Sequence, residues 1–152
     1  MSLLQTIEVD YIAAYKSKDA IRLSVLRLLK TALKNLQVER SREPISDADA
    51  LDVVVKQVKQ RRDSIDQFRA AGREDLASKE EAEMVVLESY LPEQIAGEKL
   101  ITLVTSLIAE VGAAGPKDMG KVMQALTARY KGSYDGKEAS ETVKTALQSM
   151  NG

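Results

Sequence analysis

The sequence predicts an all-α protein: an N-terminal four-helix domain over residues 1–93, followed by a C-terminal three-helix bundle over residues 97–152. Three observations predict it. Apolar residues recur at helical spacing almost from end to end. The two-residue alternation of half-buried strands is nearly absent. Three prolines and eight glycines fall where helices have to stop.

The elements follow in order. Ser2 with Gln5 reads as a capping box, a serine side chain and a glutamine three residues on satisfying each other's backbone N–H groups. Behind it Leu4, Ile7, Tyr11, Ala14 and Tyr15 keep helical spacing, and Lys18-Asp19 breaks the helix, with Asp19 a cap for the next. Leu23, Leu26, Leu29, Leu33 and Leu36 carry a second helix to about Arg42, and Pro44 stops it. Ser46 with Asp49 opens a third, carrying Leu51, Val54, Val55, Val58, Ile65 and Phe68 and closing at Gly72. A fourth runs from near Glu74 through Leu76, Met84 and Leu87 to Tyr90, where Leu91-Pro92 ends it.

Beyond Pro92 the helices shorten. Leu100, Val104, Leu107, Ile108 and Val111 mark the fifth. Pro116 sits at a first-turn position ahead of Met119, Val122, Met123 and Leu126. Lys131 to Gly136 is a loop, and Asp135 caps a last helix with Ala139, Val143, Leu147 and Met150.

Composition excludes much of enzyme chemistry. The 152 residues contain no Cys and no His. Cys–His and Ser–His–Asp nucleophiles, histidine acid–base catalysis, and zinc, haem or iron–sulfur sites built on those residues are therefore ruled out. No disulfide can form, which suits a reducing cytosol, the compartment expected here. Residues 1–20 carry five charged groups and no cleavable apolar core, so no secretory leader is expected. The longest apolar stretch, from Leu100 to Ala109, is about half of what a membrane crossing needs. The net charge is −1, so neither nucleic acid nor membrane is attracted by the chain as a whole.

Locally the charge is polarised. Residues 53–73 hold six basic and two acidic groups, whereas residues 74–96 hold seven acidic groups and one lysine. The third and fourth helices should therefore attract each other across the Gly72 turn. Arg61 falls within the apolar stripe of its helix, Arg62 at its edge, and Glu80 within the stripe facing them. Arg61 or Arg62 is expected to pair with Glu80 or Glu83, as an ion network that fixes the register of the hairpin. A carboxylate metal site from Asp66, Glu80 and Glu83 is not expected, because di-iron bundles need a histidine after the glutamate and this chain has none. No phosphate-binding glycine loop occurs, and no serine has a lysine or glycine setting that would activate it. Neither a catalytic residue nor a cofactor or metal is assigned.

The segment from Lys117 to Lys137 is the binding candidate. Lys117, Lys121, Arg129, Lys131 and Lys137 stand against Asp118 and Asp135, with Tyr130 and Tyr134 between. Basic groups around a glycine-containing turn can hold phosphates, and a tyrosine can stack on an exposed base. The same segment also reads as core, Met119, Val122, Met123 and Leu126, ringed by solvated lysines.

Several blocks resemble a known family. Lys59-Gln60-Arg61-Arg62-Asp63-Ser64, Phe68-Arg69-Ala70-Ala71-Gly72-Arg73-Glu74-Asp75-Leu76 and Tyr90-Leu91-Pro92-Glu93-Gln94 look like the signature of the YqeY-like family. Asp118-Met119-Gly120-Lys121-Val122-Met123, Lys131-Gly132 and Asp135-Gly136-Lys137 resemble its C-terminal motif. The resemblance implies a helical N-terminal domain and a C-terminal domain similar to the tail of the B subunit of aspartyl/glutamyl-tRNA amidotransferase, a tail that helps hold tRNA. Gly120, Lys121, Met123, Lys131, Gly132 and Gly136 occupy the matching positions. Where family members often carry a basic residue after Lys-Gly, this chain has Ser133-Tyr134.

These readings lead to a non-catalytic accessory protein binding tRNA or a tRNA-processing enzyme. Its RNA-binding residues would be Gly120, Lys121, Lys131, Gly132, Tyr134, Gly136 and Lys137. Two alternatives stand beside it: a protein-interaction adaptor without RNA, and a component of a carbon–nitrogen ligase using glutamine as nitrogen donor, the activity with which the family is labelled.

Overall fold

The computed structural model describes residues 1–41 and 43–150. Seven α-helices and no strand occur among them: α1 (Leu3–Ser17), α2 (Ala20–Glu39), α3 (Asp47–Ala70), α4 (Glu74–Glu88), α5 (Gly97–Val111), α6 (Met119–Tyr130) and α7 (Gly136–Ser149). The chain is all-α. It divides into two compact units, one from Met1 to Leu91 and one from Pro92 onward.

Local chemistry sets the helix ends. Ser2 and Gln5 form a reciprocal capping box at α1, and Ser46 and Asp49 form another at α3. Asp19 accepts from the Arg22 N–H at 3.1 Å and so caps α2. α1 ends at Lys18, which adopts a left-handed conformation with φ +59°. Gly72 takes φ +73° just past α3, a geometry that costs a side-chain-bearing residue about 1–2 kcal/mol.

The first unit buries Ile7 and Ala14 of α1 with Val25, Leu26, Leu29 and Leu33 of α2. Ala50, Val54 and Val58 of α3 and Val86 and Leu87 of α4 complete this core. The second unit has its own core of Leu100, Val104, Leu107, Ile108, Val122, Leu126, Ala139, Val143 and Leu147. The long apolar run of α5 is thus spent on this core. Among the described residues no single helix is long and apolar enough to cross a membrane.

Five local expectations are corrected. α2 ends at Glu39, three residues short of Arg42, which lies outside the described residues. α4 ends at Glu88 rather than Tyr90. Pro116 opens a three-residue 3₁₀ turn, Pro116–Asp118, and α6 begins only at Met119. The Asp118 carboxylate folds back to accept from the Ala114 N–H at 2.8 Å, which holds that tighter turn. Tyr15 sits at the edge of the α1 stripe and is 62% exposed. Met150, the C-cap residue of α7, is likewise exposed.

Two outcomes are expected. Leu87→Ala, which empties a fully buried site between helices, should cost about 2–5 kcal/mol in urea unfolding. The Asp49 carboxyl is held below its ordinary value, chiefly by the Ser46 backbone and hydroxyl donors, with Arg40 adding to them. A carboxylate lowered in this way stabilises the fold above its unfolded pKa and loses that contribution as pH falls through its folded value. Asp49→Asn should therefore lower stability at neutral pH, and the difference from the parent should begin to shrink as pH drops below about 4 and vanish below the lowered folded value, read by acid titration of the helical signal.

Candidate functional sites

The hairpin of α3 and α4 positions the first site. Its three-residue turn places Arg61 opposite Glu80 and Glu83. The Arg61 Nη1 donates to Glu80 Oε2 at 2.9 Å and to Glu83 Oε2. The Arg61 side chain is only 11% exposed, and Glu83 is nearly as covered. Arg62 lies half-buried beside it. Nearer the turn the arrangement repeats in the open: Arg69 spans Glu74, at 3.1 Å, and Glu81. The two carboxylates raise the Arg69 pKa further, and Arg69 holds Glu74 below the usual range. Both cations come from α3 and all four anions from α4, so the opposite charges of the two helices meet at defined positions.

A cleft of about 340 Å³ opens beside Arg61, walled by Leu28 of α2, Gln57 and Gln60 of α3, and the two carboxylates. The Gln57 Oε1 is buried without a hydrogen-bond partner. Among the described residues no group of three acidic side chains gathers as a metal site. One guanidinium shared by two glutamates offers neither a free nucleophile nor an acid–base pair held apart. It ties α3 to α4 at one position of each helix.

The second site is the α6–α7 loop of the C-terminal unit. Lys121 lies on the first turns of α6, Lys131 just past its end, and Lys137 on the first turn of α7; all three are exposed. Lys121 keeps only a long contact to Asp118, at 3.9 Å. Arg129, by contrast, is spent on Glu110 at 2.7 Å. Gly132 is buried with φ +80°, a backbone that favours glycine. Gly120 and Gly136 are exposed, and a Cβ on either would meet nothing within 4 Å, so what they contribute is bare backbone at the surface. Tyr134 is half-buried against the second core, with its hydroxyl 3.0 Å from Thr127 Oγ1. The loop thus mixes both sequence readings: Val122 and Leu126 are core, and the lysines stand around them.

Four long-range contacts escaped the sequence reading. Gln94 Nε2 donates to the Gly132 carbonyl at 2.6 Å, and the Ile95 N–H donates to the Ser133 carbonyl at 2.6 Å. The Glu138 carboxylate accepts from the Gly97 N–H at 2.9 Å, closing the otherwise uncapped start of α5. Tyr90 donates to Asp10 at 2.6 Å, and its burial, then this bond, push the phenol pKa up. These pairs are separated by about 40 to 80 positions, beyond any local pattern. The one available signal was Gln94 itself, a polar residue within an otherwise turn-like Tyr-Leu-Pro-Glu-Gln block.

A second cleft of about 500 Å³ lies between α5 and α7. Three of its hydroxyls are committed to their own helices: Thr105 donates to the Ile101 carbonyl, Thr142 to Glu138 and Ser149 to Thr145.

Arg61→Met should cost about 2–4 kcal/mol in denaturant unfolding, because it leaves two largely covered carboxylates without their cation. Adding Glu80→Gln and Glu83→Gln to that variant should recover most of the loss. A triple variant as unstable as the single one would show that Arg61 acts through packing alone.

Comparison with known proteins defines the lineage. The family described as Yqey-like protein matches residues 4–147. Altered inheritance of mitochondria protein 41, mitochondrial, of Candida glabrata is 30% identical over 141 residues, 87% of this chain and 78% of that protein. The protein of the same name from Pyrenophora tritici-repentis is 30% identical over 148 residues, 95% of this chain and 81% of the relative. An uncharacterized protein of Schizosaccharomyces pombe is 41% identical over 71 residues, covering 45% of this chain and 58% of its own length. The first two relatives are mitochondrial by name, which overturns the cytoplasmic expectation. That expectation rested on the missing cysteines, and a chain without disulfides cannot tell one reducing compartment from another. With the match running through both helical units, the chain belongs to the YqeY-like family.

Proposed function

We propose that this chain is a non-catalytic binding protein that holds tRNA, free or on a tRNA-processing enzyme, through the α6–α7 loop of its C-terminal unit. The observation that carries the reading is the set of exposed lysines, Lys121, Lys131 and Lys137, around a loop whose backbone is pinned at Gly132 and Ser133. Lysines on a fixed frame neutralise phosphates without first having to order the chain that bears them. Tyr134 borders them, and its hydroxyl anchor on Thr127 steadies a ring that can stack on an unpaired base. Family membership supports the reading through the resemblance of this unit to a tRNA-holding tail. Glutamine-dependent carbon–nitrogen ligation is the weaker reading, because the chain has no cysteine to release ammonia and no activated serine.

The test is binding of the purified chain to total tRNA across a salt series. The logarithm of affinity should fall linearly with the logarithm of salt concentration, by about 0.9 per phosphate contacted. Lys121→Ala combined with Lys131→Ala should flatten that slope by about two and weaken binding about tenfold or more at low salt, with the helical signal unchanged. An affinity unaltered in the double variant would exclude this surface. Absence of binding at low salt would exclude the RNA reading altogether and turn attention to protein partners.

A further inference from the structure

The segment between Leu91 and α5 is tied to the α6–α7 loop at consecutive points. Gln94 Nε2 donates both to its own Pro92 carbonyl, at 2.9 Å, and to the Gly132 carbonyl, at 2.6 Å. One residue on, the Ile95 N–H donates to the Ser133 carbonyl at 2.6 Å. Two residues further, the Gly97 N–H reaches the Glu138 carboxylate in the first turn of α7. The loop in turn closes on α6 through the Ser133 N–H, which donates to the Tyr130 carbonyl at 2.9 Å. Ile95 packs against the second core, as does Tyr134 on the other side of the contact.

We infer that residues 92–97 form a clasp that sets the conformation of the lysine-bearing loop, with Gln94 as its positioning residue. Gln94 carries no charge. Its amide is bonded instead to the carbonyl of Gly132, the residue whose left-handed backbone turns the chain between Lys131 and Lys137. Side-chain amides suit this task because one nitrogen carries two protons and can satisfy two carbonyls at once. The bond to Pro92 holds the amide in place, and the bond to Gly132 transmits that placement to the loop. Without the clasp the Gly132 and Ser133 carbonyls would turn to water, and the lysines would have to be ordered at the moment a polyanion binds. The clasp therefore acts on binding by preorganisation rather than by contact. It also implies the converse: an anionic ligand seated on the loop should slow opening of the clasp, because binding to one ordered state stabilises every bond that defines it.

This inference rests on the tRNA reading for its ligand, but the clasp can be judged without one. Gln94→Met keeps the length of the side chain and removes the donor. Amide hydrogen exchange of Ile95 and Ser133 is measured in the full chain, with and without total tRNA, for the parent, Gln94→Met and the Lys121→Ala/Lys131→Ala variant. In Gln94→Met, Ile95 exchange should accelerate about fivefold or more, the loss of one net hydrogen bond. tRNA affinity should fall by about threefold to tenfold with an unchanged salt slope, in contrast to the lysine variant, whose slope flattens. In the parent, tRNA should slow Ile95 exchange. Unaltered Ile95 and Ser133 exchange in Gln94→Met would overturn the clasp. Faster exchange with unaltered tRNA affinity would overturn the positioning role. Should the parent fail to bind tRNA, the tRNA reading falls and exchange alone decides whether the clasp stands.

Discussion

A single guanidinium held between two glutamates ties α3 to α4 in the N-terminal unit. Arg61 emerges from the apolar stripe of α3, where an unpaired charge would be costly, and meets Glu80 and Glu83 on the facing stripe of α4. Sliding one helix past the other by a turn would leave three charges without partners inside a mostly aliphatic contact. Val58, Ile65 and Leu87 are buried on the same two helices, in the register in which Arg61 finds both carboxylates. Arg69 with Glu74 and Glu81 repeats the pairing near the turn, at lower stakes because water reaches it. The hairpin then presents Val54, Val58, Val86 and Leu87 as one surface on which α1 and α2 pack.

The C-terminal unit solves a different problem with fewer residues. Its core is built from aliphatic residues on three short helices, and its loops are fixed both by packing of Ile95 and Tyr134 on that core and by hydrogen bonds. The segment ahead of α5 and the loop ahead of α7 fix one another, each satisfying backbone groups the other leaves open. A loop fixed in this way can carry exposed lysines without becoming mobile, which suits recognition of a polyanion better than a flexible basic tail would.

Much of this was legible in the residues because it is local. Capping boxes at Ser2 and Ser46, the Asp19 cap, the breaks at Lys18 and Gly72 and the helical stripes all follow from contacts within a few positions. Arg61 and Glu80 could be singled out for the same reason: each is a charge on the wrong face of its own helix. What the sequence could not show were the contacts joining distant segments, Tyr90 with Asp10 and Gln94 with Gly132. Exposed or half-exposed polar residues in loops carry no periodicity, and nothing in their spacing says which carbonyl they will meet. Helix ends erred where two principles competed. Pro116 suits a helix start, yet the Asp118 carboxylate draws the preceding backbone into a tighter turn.

The motif blocks acquire separate physical meanings on this structure. The block around Arg61 and the one from Phe68 to Leu76 serve the hairpin: they supply its cation, its turn and the first acidic residues of α4. The Tyr-Leu-Pro-Glu-Gln block straddles the boundary between the two units, Tyr90 anchoring the end of the first on Asp10 and Gln94 anchoring the start of the second on Gly132. Pro92 between them has no N–H to satisfy and disfavours helix before it, so the chain leaves α4 and is free to form the clasp. A block that looks like a simple helix terminator is thus better understood as two anchors on either side of a stop. A change at Tyr90 should act on the stability of the first unit and a change at Gln94 on the loop of the second, although only four positions separate them.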